Sequence, residues 1–223
     1  MGKKMARKNT VKLGRRSLMS NLGAAALAGA TISATPALAQ NSTKRFEAKR
    51  HALDSWMDEI PGDHRVFIDT SDATGGSNSL LYGGNILNAH VNAYEGSDDE
   101  MAMIICFRHA STPFGYNNAM WKKYGEVFMR MTQQEVKEGE IPQSNPVISR
   151  VDSMVARGVH FAICNTATRR IASVVAETAG LETDDVHKEL NDNAIANGHY
   201  VPAGVMALSR AQEYGYSFMY SAA

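Results

Sequence analysis

The chain has 223 residues, with 23 Lys and Arg against 23 Asp and Glu and only two cysteines. That length suffices for one well-buried domain of ordinary size. Two cysteines exclude a disulfide-built scaffold, and the formal net charge is zero, turning acidic once the basic first 39 residues are set aside, which offers no general electrostatic footprint for nucleic acid.

The charge is unevenly spread. The first 39 residues carry seven Lys or Arg and no acidic side chain, and the basic stretch ends in Gly14-Arg15-Arg16-Ser17-Leu18-Met19. Leu22 to Ile32 is a weakly apolar run rich in Ala and Gly, and Ala37-Leu38-Ala39 forms a small-x-small cleavage site. Paired arginines, a short apolar run and such a site read as a twin-arginine signal peptide over 1–39, with a general secretory signal as the alternative. The run is broken by Gly23, Gly29 and Thr31 and falls short of the roughly 20 apolar residues of a membrane span, so no permanent anchor is expected. Loss of seven positive charges leaves 16 basic against 23 acidic side chains, a net of −7, on an exported and periplasmic product.

A polar segment follows over 40–62, in which only Phe46, Leu53, Trp56, Met57 and Ile60 are packable. Arg65 to Asp69 reads as a first strand, the Gly/Ser/Asn-rich stretch Thr70 to Ser79 as a loop, and Leu80 to Tyr94 as a helix. Met101 to Phe107 is apolar throughout, the pattern of a strand covered on both faces. Arg108 to Tyr116 is its exit loop. Asn117 caps a helix carrying Met120, Trp121, Tyr124, Val127 and Phe128, and a polar connector runs from Glu138 to Pro146. Val147 to Arg157 is helical in pattern and stops at Gly158. Val159 to Cys164 is a strand, followed by a helix with Ile171, Val174, Val175 and Thr178 on its apolar face and Gly180 as its end. A short acidic helix over 183–191, a Tyr200 to Ala203 stretch, a helix over 204–214 and a final strand Tyr216 to Tyr220 complete the chain. This alternation predicts an α/β fold, a single three-layer domain over 63–223 with a mainly parallel five-stranded sheet flanked by helices and a helical insertion near 115–146.

In such sheets ligands gather beyond the carboxyl ends of the strands. Two loops lie there, Arg108 to Phe114 and Cys164 to Arg170. Cys164 ends a strand and begins a helix, where unpaired N–H groups and the helix dipole favour an anionic sulfur. Asn165, Thr166, Arg169 and Arg170 follow it. Arg108, His109, Ser111 and Thr112 form a polar cluster able to bind an anion or tune the thiol. The alternative is that Cys164 is a small buried apolar residue and Arg108 and His109 cap loop carbonyls. Cys106 lies inside a strand and reads as packing, although a Cys106/Cys164 redox pair stays open. Six further histidines, at 51, 64, 90, 160, 187 and 199, show no pair at metal-ligand spacing, so no zinc site is expected. Gly75-Gly76 and Gly83-Gly84 lack the companions of a phosphate loop and read as turn and packing glycines.

Gly158-Val-His-Phe-Ala-Ile-Cys-Asn-Thr-Ala-Thr-Arg-Arg170 and Val201-Pro-Ala-Gly-Val-Met-Ala-Leu-Ser-Arg210 through Tyr216 resemble the DsrE/DsrF-like superfamily, with its YchN-like fold. The resemblance covers roughly 64–220. Arg108 to Phe114 and Asn118 to Gly125 look like an exported branch of it. The resemblance implies that Cys164 accepts and passes sulfane sulfur as a persulfide, that Arg169 and Arg170 support its anion, and that the protein is a homo-oligomer. Partners would then be a sulfur donor or acceptor protein or a small thiol, with neither nucleic acid nor a cofactor involved. Two features depart from the cytoplasmic relay subunits: the export signal, and the segment from Gly115 to Pro146, which has no counterpart in them. Two functions are therefore expected, a persulfide carrier or sulfurtransferase-like protein, or a non-enzymatic small-ligand or protein-binding module in which Cys164 only packs.

Overall fold

Placement of the chain follows from a computed structural model, which describes residues 47–132 and 142–222. The expected signal peptide, the start of the polar segment and part of the Glu138 to Pro146 connector lie outside the described residues.

Five strands form one sheet, all parallel: β1 (His64–Thr70), β2 (Met101–Phe107), β3 (His160–Cys164), β4 (Gly198–Val201) and β5 (Ser217–Ser221). Their order is β4-β3-β2-β1-β5, with Val66 beside both Met103 and Ser217. Among the described residues seven α-helices accompany them: α1 (Trp56–Glu59), α2 (Ala73–Ala93), α3 (Asn118–Met131), α4 (Ile148–Val155), α5 (Asn165–Ala179), α6 (Thr183–Asn191) and α7 (Gly204–Glu213). The expected α/β three-layer architecture with a five-stranded parallel sheet is what the chain forms.

Strand alternation divides the core. Val66, Ile68, Met103, Ile105, Phe107, Phe161 and Ile163 face α2 to α6, whereas Phe67, Ala102, Ile104, Cys106, Ala162 and Val201 face α1 and α7. Every residue of β2 is buried, as a central strand covered by helices on both faces requires. Large side chains on α3, among them Trp121 and Phe128, are fully buried, each contributing about 1.5–3 kcal/mol of hydrophobic stabilisation. The Trp121 Nε1–H donates to Pro113 O at 2.8 Å, tying α3 to the turn after β2. The stretch expected as an insertion thus supplies core in its helical part.

Three local expectations are corrected. Thr70 to Ser79 is not a loop beyond Asp72: α2 begins at Ala73 because Asp72 caps it, accepting from the Gly75 N–H at 2.7 Å. Its glycines serve close approach, since a Cβ on Gly75 would lie 2.3 Å from Ser221 O and one on Gly76 2.9 Å from the Phe114 ring. On α5 the buried face is Thr168, Ile171, Ala172, Val175 and Ala176, while Val174 and Thr178 are exposed. The helix starts directly at Cys164, and that start sets its phase against the sheet. Leu53 is exposed, whereas Met57 and Ile60 of the same segment are buried against the α7 face.

Candidate functional site

The carboxyl ends of β2 and β3 and the first turns of α5 and α7 surround a cleft of about 670 Å³, within the range of small-molecule sites. Cys164 lies in its lining. The residue caps α5, and its Sγ accepts the Ala167 N–H at 3.4 Å. This cap satisfies one of the amides that a helix start leaves open and aims it at sulfur. The next residues are held by neighbours: Thr166 N–H and Oγ1–H both donate to Pro202 O, and Thr168 Oγ1–H donates to Cys164 O. Tyr116 O–H closes the chain on Thr168 Oγ1 at 2.9 Å.

Arg108 enters the cleft from the end of β2. Its Nε–H and Nη2–H donate to the two carboxylate oxygens of Asp69, each at 2.8 Å. This fork raises the Arg108 pKa above its ordinary value, the Asp69 hydrogen bonds being the main cause. Gly204 admits the arginine: a Cβ there would lie 2.8 Å from Arg108 Cβ and 3.2 Å from Cys106 Sγ. His109 follows with a left-handed φ of 51°, a conformation that costs a non-glycine residue of order 1–3 kcal/mol. The strain is imposed on both sides, by Arg108 N–H on Thr70 O and Ala110 N–H on Ser71 O, and it leaves the imidazole exposed in the cleft wall.

Arg108, His109, Cys164, Thr166 and Arg170 line the cleft together. The other sequence candidates do not. Ser111 and Thr112 are fully buried: Ser111 Oγ bonds Thr70 and the Arg108 backbone, shaping the turn after β2, and Thr112 Oγ1–H reaches back to Phe107 O. Asn165 Oδ1 bonds His187 Nε2 on α6 at 2.8 Å. Arg169 pairs with Asp184 at 2.6 Å across the same helix pair, because one step along a helix turns a side chain by about 100° away from the cleft. Its guanidinium therefore braces α6.

Sequence reasoning did not find the apolar wall, made by Met131, Ile171, Val174 and Val205, nor the anchoring role of Asp69. A carboxylate near the end of β1 and an arginine just past the end of β2 become neighbours in the register that sets Asp69 beside Cys106. Cys106 lies behind the cleft on the α7 face, fully buried, and burial pushes its thiol well above the ordinary range, with Asp69 and Cys164 adding to the effect. Both cysteines are free thiols.

No protein-family model and no curated protein matches the chain. Among solved structures it is similar to a protein of unknown function, MTH1491, from Methanobacterium thermoautotrophicum. The two are 14% identical over 71% of this chain and 99% of that one, with a TM-score of 0.39.

Elsewhere, His160 Nδ1 and His199 Nε2 lie 2.9 Å apart, and the His199 ring stacks on Trp56 at 4.0 Å. The 39-residue gap between these histidines hid the pair from spacing rules. Among the described residues no group of three His, Cys, Asp or Glu is placed to hold a metal, and no helix is long and apolar enough to cross a membrane.

Proposed function

We propose that the protein is an exported, DsrE-like sulfur-handling protein in which Cys164 accepts a sulfane sulfur as a persulfide and passes it on. The observation that carries this reading is the position of Cys164 Sγ, in the lining of a cleft and facing the Ala167 N–H at the start of α5. A helix start suits an anionic sulfur, and Arg108 and Arg170 add positive charge on the same cleft. The basic leader with Arg15-Arg16 supports export into the periplasm, and the resemblance around Cys164 supports a homo-oligomer that meets a sulfur donor or acceptor. Arg169 drops out of the anion site.

The test is intact-mass spectrometry before and after incubation with inorganic polysulfide, which reaches a thiol without needing recognition. A gain of about 32 mass units in the native protein that is absent in Cys164→Ser supports the reading. No adduct on native Cys164 overturns it.

One observation favours the binding module instead: Cys164 is only 4% exposed, and much of the cleft wall is apolar. In that case Cys164→Ser keeps full ligand affinity and no sulfur adduct forms.

A further inference from the structure

The cleft carries two kinds of surface. One is basic: Arg170, His109, and Arg108, whose guanidinium is shared with the Asp69 carboxylate, with no Asp or Glu in the lining itself. Among the described residues, the Arg170 and His109 side chains make no hydrogen bond or ion pair, so their polar ends are free for a ligand. The other is apolar: Met131 from α3, Ile171 and Val174 from α5, and Val205 from α7. Val174 and Val205 are 37% and 56% exposed, on helices whose other faces are well buried. An inorganic anion would satisfy the cations and leave that wall wet, whereas a neutral apolar ligand would desolvate the guanidiniums without compensation.

Resting on the sulfur-handling reading, we infer that the cleft selects an organic anion with an apolar body, and that its sulfur donor is of the thiosulfonate class rather than inorganic thiosulfate. The sulfonyl oxygens face Arg108 and Arg170, the hydrocarbon lies on Ile171, Val174 and Val205, and the outer sulfur meets Cys164. The Cys164 thiolate attacks that outer sulfur. A new S–S bond forms, the bond from the outer sulfur to the sulfonyl sulfur breaks, and its electron pair leaves with the sulfinate. One S–S bond replaces another and the formal oxidation of the cysteine sulfur matches the formal reduction of the sulfonyl sulfur, so no other reactant is needed, and two negative charges stand on each side. The products are a Cys164 persulfide anion and an organic sulfinate. Arg108 is suited to hold the departing group because Asp69 fixes its guanidinium from behind.

Binding and reaction are tested separately on the full chain. Benzenesulfonate, an unreactive anion with an apolar ring, is titrated calorimetrically against inorganic sulfate. Saturable benzenesulfonate binding is expected in the native protein and in Cys164→Ser, with sulfate at least about tenfold weaker. Arg170→Gln and Val174→Asp, both at exposed helix positions that leave the fold intact, are each expected to weaken benzenesulfonate roughly tenfold or more. Benzenethiosulfonate is expected to load Cys164 with one sulfur faster than thiosulfate does. No benzenesulfonate binding, or equal affinity for sulfate, overturns the inference even if polysulfide still loads Cys164. Binding of benzenesulfonate without any loading by benzenethiosulfonate or polysulfide upholds the ligand class and overturns the sulfur step.

Discussion

Asp69, next to last in β1, grips Arg108, the first residue past β2, through two parallel 2.8 Å hydrogen bonds, and the Asp69 carboxylate is almost wholly removed from solvent. A buried carboxylate that loses its partner is costly. Arg108→Ala is therefore expected to lower stability by about 3 kcal/mol, and Arg108→Lys, which keeps the charge but not the fork, by less. The urea midpoint of each variant checks this; equal midpoints for native protein and Arg108→Ala would mean the fork contributes nothing.

The two thiols are expected to react differently with iodoacetamide at neutral pH. Burial holds the Cys106 thiol protonated well above its ordinary range, and its residue is wholly enclosed, whereas Cys164 borders the cleft. Peptide mass mapping of native protein should find label on Cys164 first and on Cys106 only after unfolding. Equal labelling rates would contradict the packing described.

Acid should loosen the docking of the segment that precedes β1. Burial, followed by the charge of neighbouring His160, pushes the His199 pKa from 6.5 down to about 4. The unfolded imidazole takes its proton near 6.5 and the folded one only near 4, so acid between these values favours the unfolded chain. The contribution is complete above the unfolded value, falls through the window, and is lost below the folded one. With solvent screening allowed for, the loss is about 1–2 kcal/mol. Stability against pH for native protein and His199→Gln checks it: the difference between the curves should change within this window, and Trp56 fluorescence should follow, since the two rings are stacked.

Two glycines of α2 should respond oppositely to alanine. At Gly75 the new Cβ would meet Ser221 backbone at 2.3 Å, and Gly75→Ala is expected to cost more than about 2 kcal/mol or to dislodge β5. At Gly84 the nearest atom is the flexible Met154 Cε at 3.6 Å, so Gly84→Ala should stabilise the helix by roughly 0.5–1 kcal/mol. Thermal midpoints separate the two.

The sheet was readable because its central strands are continuous apolar runs of the right length, and Asn117, Gly158 and Gly180 mark helix ends by chemistry that acts locally. What was not readable depended on distant parts of the chain. Gly75 looks like a turn residue until Ser221, 146 residues later, comes to lie against it. Arg169 and Arg170 are adjacent and alike, and the phase of α5, legible only once the helix is packed on the sheet and α6, turns Arg169 to Asp184 and leaves Arg170 on the cleft. Ser111 looked like a ligand-binding hydroxyl because its partners, Thr70 and the Arg108 backbone, meet it only once β1 and β2 are paired. Cys164 was legible as a helix cap from its place at a strand-to-helix junction, but the apolar wall before it is assembled from α3, α5 and α7.

β1 is flanked on one side by β2 and on the other by β5, the last strand in sequence order among the described residues, with Val66 beside Ser217. During synthesis one side of β1 must therefore stand open until Ser217–Ser221 have been made, long after β1 itself. The Arg65 guanidinium reaching Tyr214 O and the Tyr216 hydroxyl reaching Met57 O belong to the same late closure. Loop-closure entropy delays such joining, so the β1 side of the sheet is completed late, by a partner distant in sequence. A truncation that removes β5 would leave β1 a bare edge, open to pairing with another chain.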